Sequence, residues 1–463
     1  MENEILTNEE KFEQFDNYLK DKQYSKLKRE LSELYEPDIA EFLQLVYERG
    51  GFDDVLRTFR LLPKGIGADV FSYMEYDLQE DLVRKLSDAE VHTIIEDLSY
   101  DDAVDILEEM PANVAHRIIA NSTAETRNTI NKLLQYEDDT AGAIMTTEYI
   151  DLKIDATVDD AFRRIRKLAK NSEQVNTCYV IDKGRVLKGV ISIRDLILAD
   201  HDDLINSVME ENVIYAETST DQETLAHIFQ KYDVLTVPIV DKEQRLVGIV
   251  TVDDIIDIIA EETTEDISKM AGIVTPDKPY LKTSSYKLWL ARVPWLLLLM
   301  ISSTFTGIII NSFEEALANA LLFACVPMLM GTGGNAGGQA SDTIILGIAL
   351  DEVEFKDTPK VIWKELRVGI VMGLSLGIIC FGKIMLIDGL LLHTAGATYI
   401  TALTISLSLC VTLIFAKLIG AVLPLIAKKC KLDPAVMASP FITTIIDILS
   451  LIIYCNFAIV LLG

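Results

Sequence analysis

Two heptapeptides, GVISIRD at residues 189–195 and GIVTVDD at residues 248–254, decide how the front of this chain is read. Asp182 stands seven residues before the first glycine and Asp241 seven before the second. The offset is 59 at every matched position: Asp182/Asp241, Gly189/Gly248, Ser192/Thr251 and Asp195/Asp254. One such match could be chance; four in register, with matching apolar strand residues, make a tandem repeat. Each copy runs apolar strand, Asp, turn, Gly, apolar strand, Ser/Thr-x-x-Asp, helix. Residues 141–260 therefore predict an α/β unit built twice.

Outward toward the N-terminus the texture changes. Residues 1–140 show short helical patterns with start signals at Ser87-Asp88, Ser99, Pro111 and Ser122-Thr123. Apolar residues recur at three- and four-residue steps, as in Val91, Ile94, Ile95 and Leu98. This predicts an all-α domain of stacked short helices. Outward toward the C-terminus, residues 261–284 continue the last repeat as a connecting helix and linker. Between Arg245 and Lys269 there are seven acids and no base: Asp253, Asp254, Asp257, Glu261, Glu262, Glu265 and Asp266. Asp253, Asp257, Glu261 and Glu265 fall on one helical face, where each like-charge pair costs about 0.2–0.5 kcal/mol. A second ladder stands at Asp101, Asp105 and Glu109. A solvated acidic face is the ordinary meaning of such runs. The connecting-helix ladder, lying just before the membrane, also invites divalent cations.

The membrane begins near residue 285. The chain has 463 residues and a net charge of −29. Residues 285–463 hold 11 acids and 11 bases, so the whole imbalance, 60 acids against 31 bases, lies in front. An acidic front argues against nucleic-acid binding, which needs a basic face. Apolar runs at about 289–310, 316–350, 368–387, 399–427 and 435–462 each reach the ~20 residues a spanning helix needs. The second-to-third loop carries Lys356, Lys360, Lys364 and Arg367, and the fourth-to-fifth carries Lys428, Lys429 and Lys431. The alternate loops carry no Lys or Arg. The positive-inside rule then places the N-terminus in the cytoplasm and the C-terminus outside, with five crossings of the plasma membrane. No apolar signal segment precedes them, and the six cysteines show no CxxC or metal-like spacing.

Two of the runs are polar on one side. Asp447 falls about ten residues into the fifth, roughly 15 Å deep at ~1.5 Å per residue. Ser439, Thr443, Asp447, Ser450 and Tyr454 share its face. An acid at that depth costs at least ~2.5 kcal/mol on the insertion scale, which favours an ion path over a helix-packing seam. In the second run, Gly331-Thr-Gly-Gly-Asn-Ala-Gly-Gly-Gln339 holds two overlapping GxxxG pairs, Gly333/Gly337 and Gly334/Gly338, that let helices approach closely. Asn335, Gln339 and Asp342 share a polar face there. No GK[ST] follows, so the glycines form no phosphate loop. The membrane segment offers carboxylate, amide and hydroxyl oxygens rather than His or Cys clusters, which favours a hard cation. Magnesium dehydrates reluctantly, so a wide path with Asp447 as outer-shell charge suits it. Five helices do not divide into two equal repeats, which makes a symmetric pore between two protomers reasonable.

The repeat resembles the CBS module, which pairs in tandem. In some members the Asp of Ser/Thr-x-x-Asp holds an adenosine ribose; here that would be Asp195 and Asp254, with ATP as a possible ligand, though helix capping is the commoner role of such residues. The whole chain resembles the MgtE magnesium channel and transporter family. The resemblance rests on the acidic helical front, the CBS pair, EETTEDI at 261–267, Arg292-Val-Pro-Trp295, PMLMGTGGNAG at 327–337 and the Asp447 helix. It implies a transporter rather than an enzyme: a homodimer in the bilayer, its pore lined by the second and fifth membrane helices, with Asp447 binding hydrated Mg2+. It also implies a cytosolic part that senses Mg2+ and closes the pore, with Asp101, Asp105, Asp257, Glu262 and Asp266 as sensor positions. Similar proteins often carry a basic residue where Leu346 stands and a neutral one where Asp342 stands. The alternatives are a Co2+ or Mn2+ carrier or exporter, and a membrane Mg2+ sensor that transports nothing.

Overall fold

The computed structural model describes residues 8–63, 65–274, 280–315, 319–350, 352–437 and 439–462. They form two compact units, 1–259 and 260–463.

In the first unit ten short helices run from Asn8–Lys20 to Ala124–Leu133. The start signals sit where the helices begin: Ser87, Ser99, Pro111 and Thr123 are the residues just before Asp88–Asp97, Tyr100–Glu109, Ala112–Asn121 and Ala124–Leu133. Ser87 closes a capping box, its Oγ accepting from the Glu90 N–H while the Glu90 carboxylate accepts from the Ser87 N–H at 2.7 Å. That arrangement satisfies two backbone donors that the first turn would leave unpaired. The periodic residues Val91, Ile94 and Ile95 and, one helix on, Val104, Ile106 and Leu107 are buried.

Two three-stranded sheets follow. β1 (Asp151–Lys153) runs parallel to β2 (Thr177–Ile181), which pairs antiparallel with β3 (Leu187–Ser192). β4 (Ala216–Glu217), β5 (Thr236–Val240) and β6 (Leu246–Thr251) repeat the pattern. The register repeats with it: Thr177 faces Ser192 as Thr236 faces Thr251, and the same irregularity follows Val180 and Ile239. The two repeat glycines mark crossings. A Cβ on Gly189 would lie 2.7 Å from Met209 Sδ and 2.8 Å from the Glu210 carbonyl; one on Gly248 would lie 2.8 Å from the Thr146 carbonyl, against Met145. The segment leading into each repeat thus bridges to the sheet of the other, Glu210 to Val190 and Thr146 to Ile249. The second repeat shares one apolar cluster with the N-terminal helices, and the first repeat has its own.

The acidic helix Val252–Met270 leads from the last strand. Among the described residues of the second unit, five helices are long and apolar enough to span a membrane: Ser285–Ser312, Ala320–Ala349, Thr358–Lys383 with its π-helical continuation Ile384–Leu391, Tyr399–Lys429 and Ser439–Leu462. The second, fourth and fifth pack on one another, the third lies along the fourth, and the first touches the fifth. Gly337 and Gly420 bring the second and fourth backbones into direct contact, leaving no room for a Cβ. The first membrane helix has none of its residues buried within the chain.

Candidate functional site

The membrane site forms where the second helix meets the fifth. A Cβ on Gly334 would stand 3.1 Å from Thr443 Cγ2 and 3.6 Å from Asp447 Oδ1. The absent side chain is what lets these two residues lie against the second helix. Thr443 donates to the Pro440 carbonyl at 2.9 Å. Asp447 is half-buried and, among the described residues, has neither a hydrogen bond nor an ion pair. Asn335 and Gln339 are exposed on the neighbouring face of the second helix. Amide groups at membrane depth are costly toward lipid, so this face is suited to a water-filled path or a partner. Two turns below Asn335, Asp342 has its Oδ1 buried with no hydrogen-bond partner among the described residues.

Of the predicted pore residues, the structure brings Gly334, Thr443 and Asp447 together and sets Asn335 on the adjoining exposed face. Ser439 opens the fifth helix, and its side chain lies outside the described residues. The polar stripe of that helix proves two-sided. Ser450 and Tyr454 are fully buried, Ser450 bonding the Ile446 carbonyl at 2.6 Å and Tyr454 the Leu322 carbonyl at 2.9 Å. They join helices, while Thr443 and Asp447 stay half-exposed. The stripe singled out Asp447 but not the lysines at membrane depth. Lys417, buried on the fourth helix beside Gly369, hides within an apolar run. Lys383 bonds Asp388 at 2.7 Å at the other end of the third helix.

A second acidic centre lies in the first unit, at the start of the helix Tyr100–Glu109. Asp101 is 8% exposed, and its Oδ1 has no hydrogen-bond partner among the described residues. Burial pushes its carboxyl up to about 6, with Asp102 adding to the shift. Burial, then the charge of Asp101, raises Glu148 to about 7, Glu173 to about 8 and Asp254 to about 7. The Glu173 N–H donates to the Glu148 carbonyl at 2.8 Å, and the Tyr100 N–H donates to the Glu148 carboxylate. The sequence-predicted Asp101 and Asp254 are thereby neighbours, with Asp253 contributing charge; Asp105 lies one turn further along, on the exposed side. Glu148 and Glu173 are additions that no ladder announced.

Along the acidic helix, Asp253, Asp257 and Glu261 are exposed and Glu262 is half-buried. Glu265 bonds Lys269 at 2.7 Å, and Lys269 also reaches Asp433 at 2.8 Å, ahead of the fifth membrane helix. Burial and then Asp433 raise Asp266. Among the described residues no three acidic, His or Cys groups converge tightly enough to form a metal cage. Both repeat acids accept from the hydroxyl three residues before them, Ser192 Oγ donating to Asp195 at 2.5 Å and Thr251 Oγ1 to Asp254 at 2.7 Å, and Ser192 caps its helix.

Three family models match the chain: a divalent cation transporter domain, MgtE, at residues 326–457, the MgtE intracellular N domain at 49–139, and CBS domains at 141–202 and 205–261. The chain is 38% identical to the magnesium transporter MgtE of Thermus thermophilus over 87% of its own length and 88% of the relative's. It is 33% identical to the magnesium transporter MgtE of Bacillus subtilis over 84% of each. A solved structure of the soluble part of a magnesium transporter matches 55% of this chain and 99% of its own, with 33% identity and a TM-score of 0.51. The cytosolic domain of the Mg2+ channel MgtE, solved with ATP, matches 53% of this chain and 98% of its own, with 34% identity and a TM-score of 0.49.

Proposed function

The chain belongs to the MgtE family of divalent cation transporters, and from that premise we propose that it takes up Mg2+ as a channel through a homodimeric pore in the plasma membrane. The observation that carries this reading is Asp447, an unpaired carboxylate at membrane depth, set against Gly334 and Thr443 and next to the exposed Asn335 face. With no cage of three ligands among the described residues, the ion keeps its water. Asp447 and its copy in the second protomer act as outer-shell charge, while Asn335 and Thr443 accept or donate to that water. The N-terminus is cytoplasmic and the C-terminus outside, as the loop lysines favour.

Cytosolic Mg2+ closes the pore. The carboxylates of Asp101, Glu148, Glu173 and Asp254 raise one another's proton affinity, and a divalent cation among them relieves the same repulsion. Asp105, Asp253, Asp257, Glu261, Glu262, Glu265 and Asp266 extend the acidic surface over which further cations bind. Moving a two-state gate from 1:99 to 99:1 needs ~5.5 kcal/mol of differential binding. One millimolar site at a few times its Kd supplies only ~1 kcal/mol. Several ions per dimer therefore act together, and closure is steep in Mg2+. Asp195 and Asp254 remain the positions from which a nucleotide such as ATP would be held by the CBS pair.

The test of the pore is Mg2+ uptake into cells lacking their own transporters. Asp447→Ala abolishes it while the purified protein keeps its elution volume; normal uptake by that variant overturns the assignment. Flux that persists without a proton or sodium gradient separates channel from carrier.

A further inference from the structure

One cleft in the first unit has a charge opposite to its surroundings. It is an open groove of about 760 Å³, lined from three directions: Lys132 on the helix Ala124–Leu133, Tyr136 and Tyr149 from the segments after it, and Arg185, Asp241 and Arg245 from the turns that end the two sheet hairpins. Neither Asp195 nor Asp254 borders it. Three bases against one acid is an unusual lining for a region with 60 acids and 31 bases.

The bases are not equivalent. Arg245 is neutralised by Asp241 at 2.8 Å and Glu243 at 3.0 Å. Among the described residues Arg185 bonds only neutral acceptors, donating to the Tyr149 hydroxyl at 2.6 Å and to the Leu246 carbonyl at 3.3 Å. Lys132 is exposed and has no ion pair among the described residues. Two uncompensated cations therefore face one cavity. The guanidinium is oriented in advance by Tyr149, whose ring is itself braced edge-on by Tyr179 at 6.2 Å.

We propose that this cleft binds a small anion bearing two or more linked phosphates. Two fixed cations, one a guanidinium fork, suit phosphate oxygens. The volume lies in the range of sites for ligands of drug size, roughly 300–1,000 Å³, so an inorganic ion leaves most of it empty. The ring of Tyr136, lying on Gly142 where no Cβ fits, offers a flat wall to a base. The proposal rests on neither the pore reading nor the acidic sensor.

The experiment uses the full-length protein in detergent at one fixed free-Mg2+ level, titrated calorimetrically with inorganic pyrophosphate and with ADP. Saturable binding is expected, weakened at least about tenfold by Lys132→Glu and by Arg185→Gln, the loss expected for a charge-assisted contact. Where Lys132→Glu weakens both probes, tighter binding of ADP than of pyrophosphate identifies the ligand as a nucleotide, and equal binding identifies it as an inorganic polyphosphate. Lys132 lies on an exposed helix face, so Lys132→Glu keeps the fold even where Arg185→Gln disturbs the hairpin turn. No saturable binding of either probe, or affinity unchanged in both variants, overturns the proposal.

Discussion

Asp447 and Asp101 are both carboxylates with no base beside them, but one stands alone and the other is crowded by its own kind. Around Asp101, four further acids each make the others harder to ionise. Around Asp447 the neighbours are a glycine, a threonine and helix backbone. A lone charge in a low-dielectric setting attracts an ion at a fixed point on a path. A crowd of charges answers to how many ions are present. In the function we propose, the same side chain serves passage in one region and counting in the other, and the difference lies in its neighbours.

The contrast breaks most sharply at Asp447. Asp447→Asn keeps the size and loses the charge, and it should abolish Mg2+ uptake as completely as Asp447→Ala. Retention of most of the flux would mean that shape, not charge, does the work there. In the acidic helix, replacing Asp257, Glu261 and Glu265 together with the amides should leave flux at low Mg2+ intact and flatten the inhibition curve recorded in patches against cytosolic Mg2+. An equally steep curve removes this helix from the sensor.

A smaller effect sharpens the comparison through pH. Glu148, Glu173 and Asp254 hold protons up to about 7, 8 and 7 when folded, against ordinary values of 4.5 and 3.8. Between roughly pH 4.5 and 8 the folded chain therefore binds more protons than the unfolded one, and stability falls as pH rises through that window. Melting of the first unit in chelator should drop across it and recover on adding Mg2+ at the alkaline end. Asp101→Asn should raise that alkaline melting temperature by roughly 2–4 °C, the shift that about 1 kcal/mol gives in a body of this size. A melting temperature indifferent to pH would show that the acids do not strain one another. Smallest of all, Asp342→Thr removes a carboxylate two turns from Asn335 and should change uptake by no more than about fivefold, as a partly solvated charge worth up to about 1 kcal/mol allows. A complete loss would give Asp342 a rank equal to Asp447.

Much of this architecture is legible before any coordinates. The offset of 59 reappears strand for strand because the spacing of Asp, Gly and Ser/Thr fixes where each hairpin turns and where each helix is capped. The membrane helices follow from hydropathy, and Asp447 from being an acid where acids are costly. What stays hidden is non-local. Glu148 and Glu173 are single acids in MTTEYI and NSEQVN, and only folding puts them beside Asp101. Helical spacing groups Ser450 and Tyr454 with Asp447, yet it does not say that a carbonyl of the second helix waits for the tyrosine. Lys417 is masked by the apolar residues on either side.

The crossing at Gly189 and Gly248 has a consequence for how this region can be divided. Since the strand-like segment around Met145 completes the second sheet and that around Met209 completes the first, the repeat seen in the gene is not the unit that folds. A chain severed near residue 203 would yield two pieces, each carrying the other's missing edge. They should recover their shape only when mixed, as complementing fragments, and a single CBS repeat grafted elsewhere would arrive without part of its own sheet.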